Sequence, residues 1–371
     1  MNAFRLRELG VTLVELLVGM AVALIATLVI TQMYANFEGQ KRTSVAGANT
    51  QENGLAALLT LERDIRMAGY GLTANPLMNC TNVFSGYDGP GGVVTPAPGL
   101  GTTAIMPVRI IEGGSNPDQI ELISSASLRP GIPVQIRQAM PSPAADLRVT
   151  NTTGFSVGDV IIVSDGVNCS VMQITNIQAP TGGSGLFGFV HNNGAGAPYN
   201  MSGNITSGWP AYGIGANVYQ LGQLVSRRYS VQPSAATQSL FVEELIPPGA
   251  GASPLAADVV DLQAQYGVAP AGSQQVTCWV DATAAGSACA PGNWQTPTAA
   301  QVRRIRAVRL AVLVRSPIAE KPSVAGGACD TTTVPPTWSG GNFNLPANWQ
   351  CHRFRVYETV VPLRNVIWGS V

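Results

Sequence analysis

Residues 11–30 contain no lysine or arginine and a single carboxylate, Glu15. As a helix the run measures about 30 Å, the thickness of a bilayer's hydrocarbon core. Two cations, Arg5 and Arg7, stand ahead of it. A carboxylate costs roughly 2.5–3.5 kcal/mol at mid-membrane and less near the interface, so Glu15 needs a physical reason to be there. Three kinds of segment have this composition. A plain transmembrane anchor needs neither Glu15 nor the break at Gly10. A secretory signal peptide would be cut at Ala21-Val22-Ala23, but that site lies inside the apolar run rather than after it. A leader cut just before the run, which then stays on the mature chain, accounts for charge, break and length together.

The stretch Leu9-Gly10-Val11-Thr12-Leu13-Val14-Glu15-Leu16-Leu17 resembles the start of the type IV pilin and pseudopilin family. That pattern runs Gly, cleavage, an apolar residue (usually Phe), Thr, Leu, an aliphatic residue, Glu, Leu, Leu. Val11 in place of Phe is the one departure. The resemblance implies cleavage by a prepilin peptidase between Gly10 and Val11, N-methylation of Val11, and a subunit-pairing role for Glu15. An isolated ammonium on Val11 and an isolated carboxylate on Glu15 are each costly in lipid. If Glu15 of one subunit meets the amine of its neighbour, both are satisfied only on assembly.

No proline occurs between Val11 and Pro76. Leu58, Leu61, Ile65 and Ala68 recur at helical spacing, with Leu55 extending the stripe by a turn. Gly69-Tyr70-Gly71 supplies a stop. The expected domains are therefore a leader over 1–10, a helix over 11–70 with 11–31 in the membrane, and a head over 71–371. Gly39, Gly47 and Gly54 each cost about 1 kcal/mol relative to Ala, so bends or softening are expected there.

The head reads as mostly antiparallel β, which makes the fold class α+β. Val308, Leu310, Val312 and Val314 alternate with Arg309, Ala311, Leu313 and Arg315, giving one strongly apolar face. Phe354, Val356 and Val360 alternate likewise with Arg353, Arg355 and Tyr357. Residues 118–124, 155–165, 171–177, 218–231 and 239–246 are further strand candidates, with Asp165-Gly166 at a turn. The stretches 88–101, 179–216, 247–256, 269–298 and 322–349 read as loops, consistent with 41 glycines and 26 prolines.

A narrower resemblance, to PilW-type minor pilins, rests on blocks spread over the chain. They are Asp64-Ile65-Arg66-Met67-Ala68-Gly69-Tyr70, Gly158 to Gly166 with Met172 to Thr175, Val259 to Val268, Ile305 to Ser316, and Val360 to Asn365. It implies a low-copy subunit that primes pilus assembly in a complex at the filament tip. Its partners would be other minor pilins, the major pilin, prepilin peptidase and a tip adhesin. The precursor would sit in the inner membrane with its head in the periplasm, and the assembled subunit at the cell surface. A minor pseudopilin of type II secretion shares the leader logic, and a pilus-displayed adhesion or DNA-binding module is a third alternative.

Six cysteines, Cys80, Cys169, Cys278, Cys289, Cys329 and Cys351, all follow the apolar run and form no Cys-x-x-Cys pair. An even number in a translocated region favours disulfides, for which six thiols allow fifteen connectivities. Expected are two local loops, Cys278–Cys289 and Cys329–Cys351, and one long-range bridge, Cys80–Cys169. Chemistry is otherwise sparse. His191 and His352 are the only histidines and sit in no motif, and no phosphate-binding loop, nucleophile elbow or zinc motif occurs. Gly182-Gly183-Ser184-Gly185 is a linker by composition. Asp88, Asp159 and Asp165 read as turn formers rather than calcium ligands. The group Arg303, Arg304, Arg306 and Arg309 reads as a solvated strand flank. Net charge is zero, which gives no long-range attraction to nucleic acid. The expectation is a non-enzymatic protein without cofactor or metal.

Overall fold

The computed structural model describes residues 12–72, 75–89, 92–127, 133–180, 183–194, 196–201, 208–234, 237–324 and 326–369. A single helix, Leu13–Met67, runs unbroken through Gly39, Gly47 and Gly54, so the glycines do not interrupt it. The chain forms two compact units divided between Asn49 and Thr50. The last turns of the helix thus belong with the head, because they share its core.

Within residues 50–371, Ala57, Leu61, Ile65 and Ala68 are fully buried. Burying a leucine or isoleucine side chain stabilises by about 1.5–3 kcal/mol, so these few positions fix which side of the helix faces the sheets. Leu55 does not extend the stripe: it is 42% exposed, and Ala57 takes the inward place. Apolar spacing alone does not distinguish these two faces, since both contain a leucine at helical intervals.

The helix lies on a four-stranded antiparallel sheet in the order Cys278–Val280, Val259–Val268, Ile305–Arg315, Phe354–Pro362. Val308, Leu310, Val312 and Val314 join Leu262, Ala264, Tyr266 and the helix residues in one core. The expected solvated face is also covered. Ala311, Leu313 and Val260 pack beneath Phe343, with Trp338 and Leu345 alongside. A segment read as loop therefore roofs the sheet's second side. The alternation expected for 354–360 is inverted as well. Val356 and Val360 are exposed, whereas Val361 is buried in the helix-side core with Tyr357 packed against it. The ladder dictates this, because Val361 lies opposite Val308 and Tyr357 opposite Val312, and directly paired residues share a face.

A five-stranded sheet follows the order Ala252–Ala257, Thr237–Glu244, Leu224–Ser234, Gln119–Ser125, Val108–Ile111. The stretch 247–256, read as loop, thus carries a strand. Asp118 joins the two sheets: its N–H donates to Leu262 O (2.8 Å), and its Oδ2 accepts from Ala264 N (2.9 Å). An eight-stranded sheet contains the hairpin Val160–Ser164 and Asn168–Gln173, turning at Asp165-Gly166. There Asp165 Oδ1 accepts from Val167 N and Asn168 N, and Gly166 has φ 91°. The hairpin's two faces serve different cores: Val160 and Ile162 one, Ile161 and Val163 the other.

Residues 218–231, read as one strand, are two. Asn217–Gly222 belongs to the eight-stranded sheet and Leu224–Ser234 to the five-stranded one. The chain changes sheets at Gly222, whose φ of 66° favours glycine. Disulfides join Cys80 to Cys169, Cys278 to Cys289 and Cys329 to Cys351.

Candidate assembly interface

The helix begins at Leu13, directly after Thr12. Thr12 and Glu15 bond each other in both directions. Thr12 N and Thr12 Oγ1 donate to Glu15 Oε2 at 3.0 and 2.9 Å, and Glu15 N donates to Thr12 Oγ1 at 3.3 Å. This is a capping box, in which two amides left without helical partners are satisfied reciprocally. The signal was present in the sequence as Thr-x-x-Glu ahead of an apolar run, but the leader resemblance drew attention only to Glu15's charge. Both bonds fall on Oε2. Among the described residues Oε1 has no partner, and it stays available to a donor from outside. Gly10 and Val11, the expected cleavage and methylation positions, lie outside the described residues.

Below the cap the helix surface is apolar and bare. Leu13, Leu24 and Ile25 are 77%, 68% and 66% exposed, and none of the apolar span is buried within the chain. A continuous patch of that size on a protein surface marks contact with lipid or with other helices. The span leaves no hydroxyl unpaired. Thr27 Oγ1 donates to Ala23 O and Thr31 Oγ1 to Thr27 O, both at 2.7 Å, as a helix in hydrocarbon requires. Tyr34 and Phe37 follow, exposed, rings of the kind favoured at a bilayer's polar interface. Glu38 and Arg42 then pair across one turn (3.7 Å), and the helix surface turns polar.

At the other end of the helix a second set of residues grips it. Asp64 accepts from Tyr229 Oη (2.5 Å) and pairs with Arg227 (3.0 Å), which also bonds Glu244 (2.6 Å). Burial pushes the Asp64 carboxyl up, but the Tyr229 hydroxyl together with Arg63 and Arg227 outweighs it and holds the group below its ordinary value. Asn365 Nδ2 donates toward the last carbonyls of the helix, closest to Ala68 O at 2.9 Å, and so caps its C-terminus. Gly69 and Gly71 leave the helix with φ near 75°, and Gly69 N donates to Ile123 O (2.7 Å). The Tyr357 ring lies over Gly54, where a Cβ would collide with it, and its hydroxyl faces Gln51 O (3.4 Å).

The remaining candidates are occupied by local structure. Asp159 Oδ2 accepts from Ser156 N (2.8 Å) and Gln220 Nε2 (2.7 Å). Arg304 donates to Ala269 O and Arg306 to Ser273 O. Arg309 donates to Gln265 Oε1 (2.6 Å) and lies between the Trp279 and Trp338 rings. Arg304, Arg306 and Arg309 therefore serve the fold individually instead of forming one solvated flank with Arg303. His191 and His352 are buried, each with a ring nitrogen at a backbone carbonyl, Ala145 O and Ser316 O. Among the described residues no group of three His, Cys, Asp or Glu side chains is placed to hold a metal.

Residues 228–365 match the model of the PilW family, described as type IV pilus-assembly protein W. No curated protein and no solved structure matches the chain. The matched segment runs from the strand that carries Tyr229, through the four-stranded sheet, to Asn365. It includes Tyr229, Tyr357 and Asn365, which hold the helix together with Arg227 and Ile123 outside it.

Proposed function

With a PilW-like type IV pilus protein as the premise, we propose that this chain is a minor pilin that primes pilus assembly from a complex at the filament tip. In this proposal prepilin peptidase cuts between Gly10 and Val11, and Val11 is methylated. The helix then passes from the inner membrane into the filament among the helices of other minor pilins and the major pilin. The head is periplasmic before assembly and displayed afterwards, where a tip adhesin is its natural neighbour. The role is architectural rather than enzymatic.

The observation that carries the proposal is the unburied apolar helix surface headed by Glu15, whose Oε1 is left open by the cap. A membrane satisfies the apolar surface but not the carboxylate; a neighbouring subunit bringing an ammonium satisfies both. The bulk of the head favours low copy number, since it would burden every layer of a repeated shaft. Deleting the chain should lower the number of surface pili while the major pilin accumulates normally. Unchanged piliation would remove the priming role.

A further inference from the structure

The four-stranded sheet ends on one side in an open ladder. At its other side, the edge of Val259–Val268 is closed by the strand Cys278–Val280 and, below it, by Asp118 bonding to Leu262 and Ala264. The strand Phe354–Pro362 pairs only with Ile305–Arg315, and among the described residues no strand lies beyond it. Two bonds fix its phase: Ser316 N donates to Arg353 O (2.7 Å), and Leu363 N donates to Arg306 O (2.8 Å). Odd-numbered residues therefore bond inward, while Phe354, Val356, Glu358 and Val360 turn N–H and C=O outward. Pro362 has no N–H and ends the series.

Beside this edge the helix offers apolar cover. Gln51 and Gly54 face Tyr357 of the edge strand. At 3.6 residues per turn, Leu58, half-buried, and then Leu55, 42% exposed, come next round that same flank. The opposite flank carries Asp64, which reaches the five-stranded sheet. One more strand added at the open edge would come beside Leu58 and Leu55, outward of Leu61 and Ile65, which cover the existing strands.

We propose that this edge receives an extended segment of a different pilus subunit as a fifth strand. The inference rests on the pilus assignment above. Unpaired backbone groups at every second residue call for an extended chain, not a helix. The leucine shelf calls for apolar side chains at alternate positions. A second copy of this chain fits poorly. Arg355 and Glu358 are exposed on opposite faces of the strand, and antiparallel self-pairing joins residues of one face, so it never brings these two charges together. Glu358 already accepts from Ser339 N (3.2 Å), so a partner with an acidic residue on the helix side, opposite Arg355, supplies what self-pairing lacks.

The test places p-benzoylphenylalanine at Val360 in the full-length chain of piliated cells, with Val334, exposed elsewhere, as the control position. The expected result is an adduct to another pilus protein from position 360 and not from 334. It should map to an extended segment of the partner and be lost in Val356→Pro. That substitution removes an outward N–H and spares the internal ladder. Leu55→Asp, which leaves the strand untouched, should cause the same loss if the proline variant fails to accumulate. No adduct at 360 above the control, an adduct to a second copy of this chain, or an adduct indifferent to both substitutions would overturn the proposal. Failure of the pilus assignment itself would show differently, as unchanged piliation on deletion.

Discussion

Glu15 completes a helix cap, and in the proposed assembly it has a second job that can be separated from the first. Within the chain it completes the capping box with Thr12; between chains it would pair with the amine of Val11. Loss of the cap costs about 1 kcal/mol, roughly a fivefold change in an equilibrium constant. An ion pair at about 4 Å in a medium of effective dielectric near 20 contributes about 4 kcal/mol, close to a thousandfold. Glu15→Gln keeps the cap, since glutamine serves equally at that position, and removes the charge. Thr12→Ala breaks the cap and keeps the charge. With a tagged chain, the ratio between sheared pili and the membrane pool, read by immunoblot, reports incorporation; mass spectrometry of the membrane form reports leader cleavage. Glu15→Gln and Glu15→Ala should both be cleaved normally and both lose two to three orders of magnitude in incorporation, while Thr12→Ala loses no more than about fivefold. If Glu15→Gln assembles within fivefold of the unaltered chain, the carboxylate is only a helix cap and the pairing argument fails.

Two further outcomes follow from the head. Gly54→Ala should destabilise the chain by about 1–2 kcal/mol in urea titrations in detergent, because overpacking against Tyr357 exceeds the helix-propensity gain of about 1 kcal/mol; paired with Tyr357→Ser the same substitution should stabilise. Burial pushes Asp118 up to about 7 and Asp261 up to about 6 from ordinary values of 3.8. The folded chain thus keeps protons that the unfolded chain has released, and these groups' contribution is complete below about pH 4 and declines as pH rises toward 7. The urea midpoint should be higher at pH 5 than at pH 8, with Asp118→Asn flattening that slope; a midpoint that rises over this interval would contradict the assignment.

Much of the architecture was legible in residue order because it depends on local chemistry. Length, charge and the Gly10–Glu15 pattern marked the apolar helix. Period-two alternation over 308–315 found the strand Ile305–Arg315, and Asp-Gly found the hairpin turn. Cysteine parity and the two short spacings indicated the bridges, and all three expected pairs form; the long-range one closes because Asn82–Phe84 runs parallel to Asn168–Gln173. Alternation also could not say which face of 354–360 turns inward. That was fixed by pairing with the neighbouring strand, a property of two segments roughly fifty residues apart. The bare flank at Leu55, the split of 218–231 between two sheets, and the carboxylates of Asp118, held at a sheet junction, and Asp261, held by Asn344 N, likewise exist only once separate elements meet. A single segment specifies its own periodicity and caps; which of its surfaces remain unpaired is a matter of what the rest of the chain leaves uncovered.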